Sequence, residues 1–229
     1  MEFFKGFNEI IFPSRCISCS TLGYSLCAQC QSIWNYQPLS QNISRESGER
    51  LLVFSSIIYS PIVSHILLAA KESNVLEATA LITNALENSL LEFTKHHSHI
   101  SLSGLVPIPS RPQANRLRGR DFMQTITQSL SKKLRIPMLP ILGYSRKVRD
   151  QSGLNSEERW NNLSDSLVVK GNLFKSENKA VLLVDDLVTT GATLLAAEKA
   201  LNRAGIRTIG AVTACVAQPL RYGGGRAPF

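Results

Sequence analysis

The stretch from Val181 to Thr193 constrains this chain more than any other part, because it joins an apolar run to a turn rich in hydroxyls. The run Val181-Leu-Leu-Val184 is short and β-branched, which predicts a strand buried on both faces of a parallel sheet. Residues Leu194 to Ala204 predict a helix that Gly205 closes. The turn therefore lies at the carboxyl end of a strand and the start of a helix, where backbone N–H groups and the helix dipole favour a phosphate.

The side chains of this turn predict a site for a phosphorylated sugar. Gly191 lets the backbone approach an anion closely. Hydroxyl donors come from Thr189, Thr190 and Thr193. Asp185 and Asp186 can accept hydrogen bonds from the vicinal hydroxyls of a sugar and hold the water around Mg²⁺. The alternative is an ordinary acidic loop after a buried strand, and such a turn binds phosphate before it distinguishes one phosphosugar from another.

Four cysteines near the start of the chain form two C-x₂-C pairs separated by seven residues. They are Cys16, Cys19, Cys27 and Cys30. Four thiolates at this spacing close a tetrahedral zinc site, and metal would supply the folding free energy of a module too short for its own core. Two disulfides are the alternative, but they need an oxidising compartment, and residues 1–15 lack the features of an export signal. Cys215 lies in an apolar run and is expected to be buried.

Length and composition set the domain organisation. A chain of 229 residues with 44% hydrophobic and 18% charged residues can form one α/β domain and a small appendage, which excludes a disordered protein. We expect a zinc module and polar linker over 1–48, the main domain over 49–217 and a flexible tail over 218–229. Because no apolar run approaches the roughly 18 residues that cross a bilayer, we expect a cytoplasmic protein without membrane insertion.

Strands and helices alternate along the main domain. Further strands are predicted over Leu51–Tyr59, Leu102–Pro107 and Arg207–Val216. One or two helices are predicted over Ile62–Lys95, two if this segment breaks near Ser73-Asn74, and one more is predicted over Gln113–Leu134. This alternation predicts an α/β fold with a parallel sheet flanked by helices.

Basic residues concentrate in one segment. From Arg111 to Arg159 there are eleven Lys and Arg against four Asp and Glu, a balance of +7 within a total of +8. The turn after the Leu102–Pro107 strand can hold a pyrophosphate, with Arg111 beside it. The polar stretch from Arg146 to Arg159 predicts a loop that orders when its cations meet a ligand. The alternative for the whole segment is a solvated basic face.

Taken in order, these motifs resemble those of ComF-family proteins over nearly the whole chain, from Cys16 to about Val216. The Val181–Thr193 segment is similar to the phosphoribosyl-pyrophosphate (PRPP) signature of type I phosphoribosyltransferases. The other matching positions are Arg118, Gly119, Phe122, Gln124, Arg146, Gln151, Leu154, Arg159 and Asn162. The chain departs from the family pattern at the helix start, which is one residue longer and has Met123 in place of Asn.

The resemblance implies a type I phosphoribosyltransferase fold that binds PRPP and Mg²⁺, with Asp185 and Asp186 as catalytic residues. The implied PRPP contacts are Asp185, Asp186, Thr189, Thr190, Gly191, Ala192 and Thr193. The implied pyrophosphate and loop residues are Pro109, Ser110, Arg111, Arg146, Lys147 and Gln151. The alternative is a non-catalytic competence factor that binds single-stranded DNA and competence-machinery proteins during DNA uptake. In that case Trp34 and Trp160 could stack on bases, although a tryptophan is more often a partly buried anchor.

Overall fold

The computed structural model describes residues 14–45, 48–145, 166–170 and 180–217. Its helices are α1 (Ala28–Ser32), α2 (Pro61–Glu72), α3 (Leu76–His96), α4 (Pro112–Arg118), α5 (Phe122–Leu134) and α6 (Ala192–Arg203). Its strands are β1 (Leu39–Ser44), β2 (Arg50–Ile58), β3 (Gly104–Pro107), β4 (Leu142–Tyr144), β5 (Leu167–Val169), β6 (Ala180–Val188) and β7 (Arg207–Val216). Within these described parts of the chain, no helix is long and apolar enough to cross a membrane.

The central sheet has five strands in the order β1-β2-β7-β6-β3. The pairs β2–β7, β7–β6 and β6–β3 are parallel, and only β1 runs antiparallel to its neighbour. Strands β4 and β5 form a separate antiparallel pair. This arrangement confirms the predicted α/β class, and it brings the carboxyl ends of four parallel strands to one edge, where ligands bind in such folds.

Successive residues of β6 pack into opposite apolar layers, as expected of a strand buried on both faces. Leu182 and Val184 belong to the layer that α2, α3 and α5 cover, together with Phe93. Val181 and Leu183 belong to the layer under α6. Burial of each large side chain stabilises the fold by roughly 1.5–3 kcal/mol, so both layers hold β6 in place.

The polar linker expected at the end of residues 1–48 contains a strand of the main sheet, and that part of the prediction is wrong. β1 pairs with β2 from Leu39 opposite Ser55 to Ser44 opposite Arg50. Ile43 of β1 is buried in the α6 layer, while its neighbours Asn42 and Ser44 are exposed. An edge strand with one solvent-exposed face carries so many polar residues that its composition resembles that of a loop.

The helix predicted over Gln113–Leu134 is divided into α4 and α5. Gly119 ends α4 in the left-handed conformation with φ of 67°, and Asp121 caps α5 by accepting a hydrogen bond from the N–H of Gln124. Of the two alternatives for Ile62–Lys95, the one with two helices is correct, because Asn74 adopts a φ of 52° between α2 and α3. Each interruption is a local turn that positions the helix after it.

Candidate functional site

A cleft of about 310 Å³ opens at the carboxyl edge of the sheet. Its lining includes Asp185 and Asp186 at the end of β6 and Thr193 in the first turn of α6. The turn after β3 contributes Pro109, Ser110 and Arg111. Members of two predicted groups, which lie more than 70 positions apart in the sequence, thus line one cleft. The predicted contacts Thr189, Thr190, Gly191 and Ala192 are not part of its lining.

The two adjacent carboxylates of β6 have different partners. Asp186 is 6% exposed and forms an ion pair with Lys71 of α2, Nζ against Oδ2. The Oδ1 atom of Asp185 accepts a hydrogen bond of 2.9 Å from the backbone N–H of Asp186. Burial, and then the charge of Asp186, raise the pKa of Asp185 well above its ordinary value, while the charge of Lys71 opposes that rise. The pair is therefore a site where a second cation is electrostatically favoured.

The turn between β6 and α6 exposes its hydroxyls and packs its glycine. Thr189 and Thr190 are exposed, and the hydroxyl of Thr190 lies 3.4 Å from the backbone N of Ala192. Gly191 has a φ of 80°, and a Cβ placed there would collide with the side chain of Ile43 in β1. From the sequence, we expect Gly191 to allow close approach of an anion. In the structure, the space that a side chain at this position would occupy is filled by Ile43 of β1.

The Pro109–Arg111 turn is fixed by one carboxylate that the sequence prediction did not include. Asp121 lies 3.4 Å from the backbone N of Ser110 and accepts a hydrogen bond of 3.0 Å from the side chain of Asn115. The same carboxylate caps α5. Asp121 therefore holds the turn against the start of α5.

Three further side chains of the cleft were not predicted to act there together, namely Lys71, Arg118 and Tyr144. Burial raises the pKa of Tyr144, and the neighbouring Arg111 opposes this shift. No local sequence pattern identifies Lys71 or Tyr144, because each reaches the cleft through the packing of a whole element. The sequence identifies Arg118 as a basic residue and a family-matching position, but it does not identify Glu72 as its partner.

The basic residues around α4 are largely occupied by contacts within the protein. The Nε of Arg118 donates to Glu72 over 3.0 Å, and this contact lowers the pKa of Glu72. Arg120 donates to the carbonyl oxygen of Ala70 over 2.8 Å, with its guanidinium 5.4 Å from the centroid of the Phe122 ring. Both contacts dock the α4–α5 connection on the end of α2, which leaves these two cations less available to a nucleic-acid backbone.

Trp34 does not present a surface for base stacking. Its side chain is only 4% exposed and belongs to the apolar layer under α2 and α3. Base stacking by Trp34 is therefore wrong, and the alternative role, a buried anchor, is the one that the structure shows. The other predicted residues of the loop and its flank lie outside the described residues: Arg146, Lys147, Gln151, Leu154, Arg159, Trp160 and Asn162.

The four N-terminal cysteines converge on one point. The sulfurs of Cys16, Cys19, Cys27 and Cys30 all lie within 4.8 Å of one another, and all four are free thiols. A tetrahedral site with Zn–S bonds of about 2.3 Å has sulfurs about 3.8 Å apart, so the cluster could hold a metal ion such as zinc. The Cys19 and Cys27 sulfurs are 3.5 Å apart, much longer than the roughly 2.05 Å of a disulfide.

Electrostatics favour the metal-binding form of at least one ligand. Burial opposes ionisation of Cys16, but the backbone N–H groups of Cys19, Cys27 and Ser18 outweigh it and lower its pKa to about 6. Cys215 is buried in β7, as predicted, and burial raises the pKa of its thiol. Burial likewise raises the pKa of Cys30, another member of the cluster, to about 12, so the low pKa of Cys16 reflects its backbone donors and not the cluster as a whole.

The cysteine module rests on α2 and α3. Ile62 of α2 packs against the buried cysteines, and Nδ1 of His65 lies 3.2 Å from the carbonyl oxygen of Ser18. Ser25 donates to Glu77 of α3 over 3.1 Å. Because α2 also carries Lys71, one helix connects the cysteine module to the cleft.

The model of the phosphoribosyl transferase domain family matches residues 125–224. This segment is similar to a phosphoribosyl transferase domain. It includes Asp185, Asp186 and α6, whereas the Pro109–Arg111 turn and the cysteines lie outside it. The match agrees with the strand–turn–helix unit that the sequence motif predicts.

Two curated proteins are similar to parts of the chain. Competence protein F of Haemophilus influenzae is 34% identical over 108 residues, which cover 46% of each protein. Adenine phosphoribosyltransferase of Polynucleobacter asymbioticus is 46% identical over 50 residues, 22% of this chain and 28% of that protein. The matches thus span less than half the length of either relative. The first match confirms the resemblance to ComF-family proteins over 46% of the chain, and the second match and the domain match agree with the resemblance to phosphoribosyltransferases.

Solved structures of adenine phosphoribosyltransferases are also similar. One matches with a TM-score of 0.45 and 13% identity over 78% of this chain and 85% of that chain. The enzyme from Leishmania tarentolae matches with a TM-score of 0.41 and 12% identity over 83% of this chain and 88% of that chain.

Proposed function

We propose that this protein is a Mg²⁺-dependent phosphoribosyltransferase that binds PRPP in the 310 Å³ cleft. The observation that carries the proposal is that one cleft contains the Asp185–Asp186 pair, the start of α6 and the Pro109–Arg111 turn. These are the three kinds of group that a phosphorylated, pyrophosphorylated sugar requires. The similarity of residues 125–224 to a phosphoribosyl transferase domain supports the same assignment.

Each part of the ligand has a proposed partner. The 5′-phosphate binds the backbone N–H groups and hydroxyls of the Thr189–Thr193 turn, where the α6 dipole favours negative charge. The ribose hydroxyls donate to Asp185 and Asp186. The pyrophosphate faces Arg111, whose turn is fixed by Asp121 through the contacts around Ser110.

The chemistry follows from this arrangement. An acceptor atom forms a bond to C1 of the ribose as the bond from C1 to the pyrophosphate oxygen breaks, and the acceptor's proton passes to solvent or pyrophosphate. Positive charge that develops on the ribose is stabilised by the nearby carboxylates, and Arg111 stabilises the negative leaving group. Mg²⁺, when bound, neutralises pyrophosphate oxygens. Asp185 and Asp186 fit it, because they are adjacent carboxylates that line an open cleft.

Calorimetry with PRPP and Mg²⁺ tests the proposal. Asp185→Ala and Asp186→Ala are each expected to weaken PRPP binding about ten- to a hundredfold, because a hydrogen bond to a charged group contributes roughly 1.5–3 kcal/mol. Glu87→Ala is the matched control, since Glu87 pairs with Lys133 on the surface and does not line the cleft. Pyrophosphate release against a panel of bases, amines and oligonucleotides then identifies the acceptor. A wild-type protein that binds no PRPP at millimolar concentration would refute the proposal.

We further propose that the cysteine cluster holds one structural zinc ion and that the protein is cytoplasmic. Free thiols in a cluster are typical of a reducing compartment. The alternative function, binding of single-stranded DNA during competence, rests on the similarity to competence protein F and on the basic segment. It has less support, since Arg118 and Arg120 are held by Glu72 and Ala70.

A further inference from the structure

Lys71 is the cation that meets the β6 carboxylates, although it lies 114 residues before Asp185 in the sequence. Its Nζ forms an ion pair with Oδ2 of Asp186 in the cleft, with the two side chains 26% and 8% exposed. Two adjacent, mostly buried carboxylates require a compensating positive charge. In the absence of a divalent ion, Lys71 supplies that charge.

The position of Lys71 is set by its neighbours along α2. Glu72 pairs with Arg118, and the carbonyl oxygen of Ala70 accepts a hydrogen bond from Arg120. These two contacts tie the last turn of α2 to the α4–α5 connection on both sides of Lys71. The backbone is therefore fixed, while the lysine side chain keeps four rotatable carbons with which to move its ammonium group.

We infer that Lys71 is a counter-ion that Mg²⁺ replaces at Asp186 when PRPP binds, and that its ammonium group then pairs with a phosphoryl oxygen of the ligand. The inference rests on the proposed binding of PRPP and Mg²⁺. Its geometric basis is that Lys71, the two aspartates and Arg111 line the same cleft. When PRPP is absent, Lys71 competes with Mg²⁺ for Asp186. When PRPP and Mg²⁺ bind together, the same ammonium group stabilises the complex by pairing with the negatively charged ligand.

This exchange predicts effects of opposite sign on two ligands. Lys71→Met keeps the length of the side chain and removes its charge. It should tighten the binding of Mn²⁺, used alone as a probe for Mg²⁺, by about tenfold, because Asp186 loses its competing partner. It should weaken the binding of PRPP at saturating Mg²⁺ by about ten- to a hundredfold. A lysine with only a structural role would not produce this pair of changes.

The experiment combines Mn²⁺ titration followed by electron paramagnetic resonance, PRPP calorimetry and thermal unfolding. Lys71→Arg keeps the charge and should restore most of the PRPP affinity, which also gives a folded variant if Lys71→Met unfolds. Lys133→Met is the matched control, because Lys133 pairs with Glu87 away from the cleft and should leave both affinities unchanged.

The outcomes separate this inference from the proposed function. Parallel loss of Mn²⁺ and PRPP affinity in Lys71→Met, or no change in either, would overturn the role of Lys71 while PRPP binding by the wild type stands. Failure of the wild type to bind PRPP would refute the proposed function and, with it, the pairing of Lys71 with the ligand. Tighter Mn²⁺ binding in the variant would even then support the counter-ion role at Asp186.

Discussion

The two sides of the cleft differ in how the chain builds them. One side is a single stretch, Asp185 to Thr193, in which a buried strand, a turn and a helix start follow one another. The other side is assembled from Lys71 of α2, Arg111 after β3 and Tyr144 of β4. Local geometry fixes the first side, whereas the second exists only once separate elements have packed. The continuous side should therefore tolerate damage to the rest of the fold better than the assembled side.

The largest expected effect is on the cysteine module, which supports the assembled side through α2. Cys27→Ser should reduce the zinc content from about one per chain to none and unfold the module, since structural zinc supplies the folding free energy of such units. The main sheet should stay folded, and PRPP affinity should fall several-fold because α2 loses the contacts of Ile62 and His65. Metal analysis, circular dichroism and calorimetry measure the three effects.

The control for that variant is Cys215→Ala, which removes a buried thiol outside the cluster and should keep the zinc. Two disulfides in the purified wild-type protein, found by thiol titration, would contradict the metal assignment. Unchanged PRPP affinity after loss of zinc would show that the assembled side does not depend on the module.

The next effect tests whether the continuous side is as local as its sequence suggests. Gly191→Val should destabilise the protein by roughly 2–5 kcal/mol, because a left-handed residue with a Cβ costs about 1–2 kcal/mol and overpacking against Ile43 adds about 1–3 kcal/mol. Chemical denaturation measures this free energy. In an Ile43→Ala background the additional cost of the valine should shrink, since the overpacking component disappears.

A Gly191→Val variant that folds with wild-type stability but loses PRPP would reverse this explanation. Glycine would then be required for the anion, as its place in the sequence motif predicts, and not for the strand β1. Either result shows how far the turn between β6 and α6 depends on Ile43 of β1.

Much of the architecture and the continuous side could be predicted from sequence. Three features could be recognised because their residues lie close together in the sequence. They are the buried run of β6, the turn at its carboxyl end and the four cysteines. Strand β1 could not be recognised, because the exposed residues Ser40, Asn42 and Ser44 alternate with its inward-facing ones over only six positions. The partners of Lys71 and Arg118 could not be predicted either, since both depend on how the end of α2 meets α4 and β6.

A third prediction concerns the cost of keeping a charge on the continuous side. Burial, and then the charge of Asp186, raise the pKa of Asp185 in the folded state. The neutral carboxyl group therefore stabilises the fold, and this contribution is fully present below the ordinary pKa of about 3.9. It is lost as the pH rises through the raised pKa. Asp185→Asn should therefore increase the free energy of unfolding at pH 7, because the amide occupies the buried position without the cost of ionisation. Denaturation at pH 7 and at pH 3 should show the gain disappearing in acid.

The same variant should weaken PRPP binding, because an amide replaces a carboxylate that accepts from the ribose. Stability and binding would then change in opposite directions at one residue, which is typical of a functional site. A loss of stability at pH 7 in Asp185→Asn would show that the carboxylate is structurally favourable and that the raised pKa is misassigned.

The smallest expected effect distinguishes cations of the assembled side from cations that are free. Arg116 is exposed and has no ion-pair partner among the described residues, whereas Arg118 is held by Glu72. If the basic segment binds single-stranded DNA, Arg116→Gln should lower the affinity slightly for all sequences and reduce the salt slope by about 0.7, the value for one phosphate contact. Arg118→Gln should leave that slope unchanged and cost the fold at most about 1 kcal/mol, as partly exposed ion pairs do. Fluorescence anisotropy over a salt series measures both slopes. A larger change in Arg118→Gln than in Arg116→Gln would mean that DNA displaces Glu72, and it would place nucleic acid on the same side of the cleft as Lys71.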